Sequence, residues 1–143
     1  MDDLLRLEFN QWAKAGRGES METGHKPMGA QAIEQMNIPP DARALDLGCG
    51  SGWATRLMAE KATNGRVVGI DISDEMVRVA QQASSSFSNI EFRVGSVEHL
   101  PFGNDGFTHS FSMESLYYYA DVLAALREIH RVLDHHGLFV TVV

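Results

Sequence analysis

Positive charge is scarce in this 143-residue sequence: 12 Lys and Arg stand against 19 Asp and Glu, a formal net charge of −7. A surface that acidic repels phosphate backbones, and no run of Lys or Arg provides a local exception, so nucleic acid is not an expected partner. Cysteine is nearly absent. The single Cys49 allows no intrachain disulfide, and a reducing cytoplasm is the expected compartment. No apolar run approaches the roughly 20 residues of a membrane span. Asp2 and Asp3 stand where a secretion signal carries positive charge, so no membrane association is expected. No ligand spacing marks a metal site, and His130, His135 and His136 read as solvated.

What is present is an ordinary globular balance, 44% hydrophobic and 22% charged, in a chain long enough for one core. Residues 1–40 read as an N-terminal helical cover. Leu4, Leu5, Phe9, Trp12 and Ala13 recur at helical spacing; Gly16, Gly18 and Gly24 predict a loop; a second helix is expected from Pro27 to Met36. Residues 41–143 read as the core. Short apolar runs at 44–47, 66–70, 90–94, 107–111 and 137–143 predict strands. Amphipathic segments at 52–62, 74–83 and 121–133 predict helices, with Ser73 capping the second and Val122, Leu126, Ile129 and Leu133 striping the third. Alternation of this kind predicts an α/β fold, a doubly wound parallel sheet with helices on both faces. Ligands of such sheets bind beyond the carboxyl ends of the strands.

The first strand runs into Leu45-Asp46-Leu47-Gly48-Cys49-Gly50-Ser51-Gly52-Trp53. Glycines spaced G-x-G-x-G serve a tight turn, a close backbone approach to a ligand and a helix start close to the sheet. Asp71, nineteen positions after Gly52, ends the second strand, where a carboxylate accepts both hydroxyls of a ribose. The pair leaves two cofactor classes, a nicotinamide dinucleotide or S-adenosylmethionine. Trp53 occupies the place of the third glycine of the dinucleotide fingerprint G-x-G-x-x-G, and Asp46 would repel a pyrophosphate while suiting an ammonium and a sulfonium.

LDLGCGSGW followed by GIDIS resembles the first two motifs of the class I S-adenosylmethionine-dependent methyltransferases. Residues 94–102, 107–116 and 125–133 resemble the later motifs, so the resemblance runs from about Arg43 to the last residue; the small-molecule group with the ubiquinone and menaquinone enzymes is the most similar. It implies a Rossmann-like sheet ordered 3-2-1-4-5, S-adenosylmethionine as cofactor and a small-molecule methyl acceptor. Asp46 would suit the cofactor's cationic end and Gly48, Gly50 and Gly52 would pass beside its methionine part. Asp71 would hold the ribose, Ile72 the adenine face, and Ser96 and Val97 the adenine edge; Ser112 and Met113 would end near the transferred methyl. His25 and Tyr118 are the candidates for a catalytic role, with Glu114, Tyr117 and Tyr119 as further acceptor-side residues. Ser96 stands where the family often has Asp, and Tyr118 where it often has His. The family's C-terminal antiparallel hairpin is missing after the fifth strand, which implies a fragment or a chain that pairs with a second copy through that strand's edge. The alternative function is a module that binds the cofactor without turnover.

Overall fold

The computed structural model describes residues 2–14 and 17–143, with side chains from 3 to 14 and from 26 onward. Two helices, α1 (Asp2–Lys14) and α2 (Arg17–Gln35), precede β1 (Arg43–Leu47), α3 (Trp53–Lys61), β2 (Arg66–Asp71), α4 (Asp74–Ala83), β3 (Ile90–Val94), β4 (Phe107–Met113), α5 (Val122–Val132) and β5 (Leu133–Val142). Short 3-10 turns occupy Val97–His99 and Leu116–Tyr118. The five strands form one parallel sheet in the order β3-β2-β1-β4-β5. Crossing back over β1 between β3 and β4 places the reversal of strand order at the carboxyl ends of β1 and β4, where a crevice opens in sheets of this kind.

Strand alternation divides the core. Ala44, Val67 and Phe111 point to one face, where α2 and α3 bring Ile33, Ala54 and Met58. Leu45, Leu47, Val68 and Ile70 point to the other, where α5 brings Ala125, Ile129 and Val132. Each Leu or Ile so buried contributes about 1.5–3 kcal/mol relative to exposure. Both sheet faces are thus covered, which is why β1 and β2 read as nearly continuous apolar runs. Caps lie where short polar side chains precede the helices: Ser73 Oγ accepts from Met76 N (3.1 Å) and Asp121 Oδ1 from Ala124 N (3.0 Å).

Three expectations need correction. The loop expected at Gly18 and Gly24, with a helix opening at Pro27, is instead part of α2, which runs unbroken from Arg17 to Gln35 with Pro27 inside it. A proline removes one i→i−4 hydrogen bond and weakens a helix without always ending it. The inner stripe of α5 is Ala125, Ile129 and Val132, whereas Val122 and Leu126 are exposed. The fifth strand starts at Leu133, not Gly137. Phe107 pairs with Leu133 and His109 with Leu138, so the turn residues 134–137 bulge out between two paired stretches of one strand.

Candidate functional site

The candidate site is built around the turn from β1 into α3. Gly48 (φ +68°), Gly50 (φ +52°) and Gly52 (φ +85°) all adopt left-handed backbone, and each is a glycine for a further, different reason. A Cβ at Gly48 would lie 3.0 Å from Ser115 Cβ. One at Gly52 would lie 2.9 Å from the Phe92 ring and 3.1 Å from Ala80 Cβ, so this glycine lets α3 start close against α4 and β3. At Gly50 a Cβ would meet nothing within 4 Å. Gly50 is therefore the glycine that leaves open space for a ligand.

The loop is fastened to β2. Gly48 N and Cys49 N both donate to Ile70 O (2.8 and 3.0 Å). Gly50 N donates to Asp71 Oδ2 and Ser73 N to Asp71 Oδ1, both at 2.9 Å. Asp71 is buried. Burial pushes its carboxyl up from the ordinary range, and the N–H groups of Ser73, Gly50 and Ile72 oppose that shift. Each carboxylate oxygen keeps capacity for a second donor, as two ribose hydroxyls require.

Asp46 lies beneath, in β1. Its Oδ2 accepts from Thr55 Oγ1 at 2.6 Å. Burial pushes this carboxyl up to about 7, the Thr55 hydroxyl opposes the shift, and the Asp71 charge adds to it. The buried Cys49 thiol is pushed well up by burial and by the same two carboxylates, which leaves it an inert thiol.

Beside Asp71, Gly95 N donates to Asp71 O (3.0 Å), placing Ser96 and Val97 at the end of β3 next to Ile72. Ser96 Oγ caps the turn that follows, accepting from Glu98 N at 3.2 Å, and Val97 is buried. Ser112 and Met113 end β4, across from Leu47. Tyr118 follows β4 and stacks edge-on with Phe9 (5.2 Å) and Trp12 (6.5 Å) of α1 and against Tyr117 (4.6 Å). Trp12, expected on the apolar face of the first helix, belongs to this ring cluster. Glu114, between β4 and the turn, takes a left-handed backbone (φ +48°) that a non-glycine residue seldom adopts. The side chain of His25 lies outside the described residues. Asp46, the three glycines, Asp71, Ile72, Ser96, Val97, Ser112 and Met113 thus gather at one end of the sheet.

Sequence reasoning missed Asn10 and Ser115. Asn10 Nδ2 donates to Asp74 Oδ1 (2.8 Å), and its Oδ1 accepts from Glu75 N (3.2 Å) and from the Ser73 hydroxyl, fixing α1 to the segment just past Asp71. An asparagine in a polar-faced helix carries no local signal of such a contact. No group of histidine, cysteine and carboxylate residues able to hold a metal occurs among the described residues.

The family model for the methyltransferase domain matches residues 45–141. The chain belongs to the class I S-adenosylmethionine-dependent methyltransferases. It is 33% identical over 117 residues to a demethylmenaquinone methyltransferase of Staphylococcus epidermidis, covering 81% of this chain and 48% of that protein. A Bacillus licheniformis protein of the same name is 33% identical over 114 residues, covering 79% and 49%. The methyltransferase chain thus spans about half the length of these relatives. Among solved structures, the complex between the Trm112 methyltransferase activator and a methyltransferase of Haloferax volcanii matches with a TM-score of 0.88 and 38% identity, covering 94% of this chain and 59% of that one. An S-adenosylmethionine-dependent methyltransferase structure from Methanococcus maripaludis, 22% identical, shares the fold at a TM-score of 0.82 over 92% and 62%.

Proposed function

We propose that the chain binds S-adenosylmethionine and transfers its methyl group to a small-molecule acceptor. The observation that carries this reading is the paired arrangement at the loop: Asp71 bonded to Gly50 N, with open space at Gly50 and a second buried carboxylate, Asp46, alongside. The residues fit the cofactor. Asp71 has lone pairs for the ribose hydroxyls, Ile72 offers an apolar side to the adenine, and Ser96 with Val97 lines its edge. Gly48, Gly50 and Gly52 leave backbone beside the methionine part, Asp46 supplies negative charge for its cationic end, and Ser112 and Met113 stand toward the methyl.

The bound cofactor supplies an electrophilic methyl on a good leaving group. What remains for the protein is to hold the acceptor about 3 Å away and in line, which is catalysis by positioning. Tyr118, held edge-on by Phe9 and Trp12, would wall an acceptor at the end of β4. The relatives named for demethylmenaquinone support a flat, apolar acceptor for this wall. Residues 1–40 would serve as a cover, of which α1 is docked by Asn10 on the start of α4 and by Phe9 and Trp12 on Tyr118. The lone buried Cys49 supports a reducing compartment. No described helix is long and apolar enough to cross a membrane. A second copy pairing along the outer edge of β5 is the association mode that the edge position supports.

Calorimetric titration with S-adenosylmethionine tests the reading, beside an Asp71→Ala chain. Saturable one-to-one binding weakened at least tenfold by the substitution supports it; absence of binding by the folded, unsubstituted chain sinks it. The alternative reading is a module that binds the cofactor without turnover. Binding with no product on a panel of quinol, phenol and amine acceptors would select that reading.

A further inference from the structure

Three hydroxyls meet beside the first glycine of the loop. Ser112 Oγ and Ser115 Oγ lie 2.6 Å apart, Ser115 Oγ and Tyr119 Oη 2.9 Å, and Ser115 Oγ lies 3.4 Å from Leu47 O. Both serines are buried. The directions of these bonds follow from chemistry. A carbonyl only accepts, so Ser115 gives its one proton to Leu47, and Ser112 and Tyr119 both donate to Ser115. Ser115 is therefore a saturated node that ties the last carbonyl of β1 to the end of β4 and to Tyr119. Burial keeps the Tyr119 phenol protonated, its pKa pushed well up, with Asp71 and Asp46 adding to the shift.

The node fills the space that a side chain at Gly48 would take. From the position of a Cβ there, Ser115 Oγ is 3.1 Å and Tyr119 Oη 3.8 Å away. Gly48 is thus held from two sides, its N–H on Ile70 O and its α-carbon against Ser115. Sheet order gives this clamp a direction. β1 lies between β2 and β4. Asp71 marks the β2 side of the crevice and the hydroxyl node the β4 side. A ligand whose ribose sits on Asp71 and which crosses the open face of Gly50 reaches the Gly48 end with its other half.

We propose that Ser115 and Tyr119 are positioning residues of the methyl-transfer site: acting through Gly48, they set the stretch of loop on which the amino-acid half of the cofactor rests. The proposal rests on the cofactor reading above. The same two residues flank the turn Leu116–Tyr118, so the Tyr118 wall is fixed to the node that fixes the loop.

The test is calorimetry on the full chain with three ligands: S-adenosylmethionine, S-adenosylhomocysteine and methylthioadenosine, which keeps the adenosine but lacks the amino-acid half. In Tyr119→Phe and in Ser115→Ala, affinity for the first two is expected to fall at least fivefold while that for methylthioadenosine stays within twofold. Equal losses for all three ligands mean general loosening and overturn the proposal, and so do unchanged affinities. If the unsubstituted chain binds none of the three, the cofactor reading fails and takes this proposal with it. Tyr119→Phe removes a single oxygen and keeps the ring in the α5-side core, so the comparison stands even where Ser115→Ala does not fold.

Discussion

Asp46 is expected to make cofactor affinity a function of pH. Its carboxyl, pushed up to about 7 from the ordinary 3.8 by burial, is half protonated near neutrality. A ligand carrying an ammonium and a sulfonium prefers the ionised form, so binding must expel the proton. Below the free-site pKa the observed affinity then falls tenfold per pH unit, about thirtyfold between pH 8 and pH 5.5. Calorimetry across that range reads it, and Asp46→Asn, which keeps an oxygen for Thr55, should flatten the profile. The same shift acts on folding with the opposite preference. The native chain holds the Asp46 proton where the unfolded chain has lost it, so stability is fullest below pH 3.8 as far as this group is concerned. It declines as pH rises from 3.8 to about 7 and is flat above. The difference of roughly three pH units corresponds to on the order of 4 kcal/mol. Asp46→Asn should therefore unfold at a higher temperature than the native sequence at pH 8, while binding the cofactor more weakly. A pH-independent affinity, or a slope that persists in Asp46→Asn, would refute the reasoning.

The three glycines separate by experiment. Gly50→Ala, with left-handed backbone but free space, should cost roughly 1–2 kcal/mol of stability and weaken S-adenosylmethionine at least tenfold, whereas Gly52→Ala, pressed on Phe92 and Ala80, should cost about 2–4 kcal/mol; denaturant melts rank them. Asn10→Ala removes the bonds to Ser73, Asp74 and Glu75 and should cost about 1–2 kcal/mol, with amide exchange in α1 accelerating well ahead of that in β1. Pairing of a second copy along β5 predicts a concentration-dependent dimer in sedimentation that Leu138→Lys weakens; a monomer at every concentration, or dimers that the substitution leaves unchanged, counts against that pairing.

The core elements were legible because both faces of β1 and β2 are buried and the signal is local. Leu45 and Leu47 alternate with Ala44 and Asp46, and Ser73 stands one residue before an amphipathic run. The glycine loop and Asp71 were legible through their spacing. What escaped depends on contacts distant in sequence. Nothing in the sequence near Gly48 tells that Ser115, sixty-seven positions later, occupies its missing side chain. Nothing around Asn10 points to Ser73. The expected α5 stripe holds at Ile129 and Leu133 and fails at Val122 and Leu126, which are as apolar as the residues that are buried; only packing in the core with Leu45, Leu47, Val68 and Ile70 distinguishes Ala125 and Val132. Nothing local tells that Leu133 pairs with Phe107 before residues 134–137 leave the ladder, because that pairing depends on a strand distant in sequence.

Asp71 has a consequence for anyone who would re-engineer the site. Its two oxygens are already spoken for by Gly50 N and Ser73 N before any ribose arrives. The side chain proposed to read the sugar is also the staple that shapes the loop. Recognition and architecture are therefore inseparable at this position: a library that varies residue 71 to change nucleotide preference would mostly sample chains with a slack glycine loop. New specificity has to be sought at neighbours such as Ile72 and Ser96, whose side chains leave that loop alone.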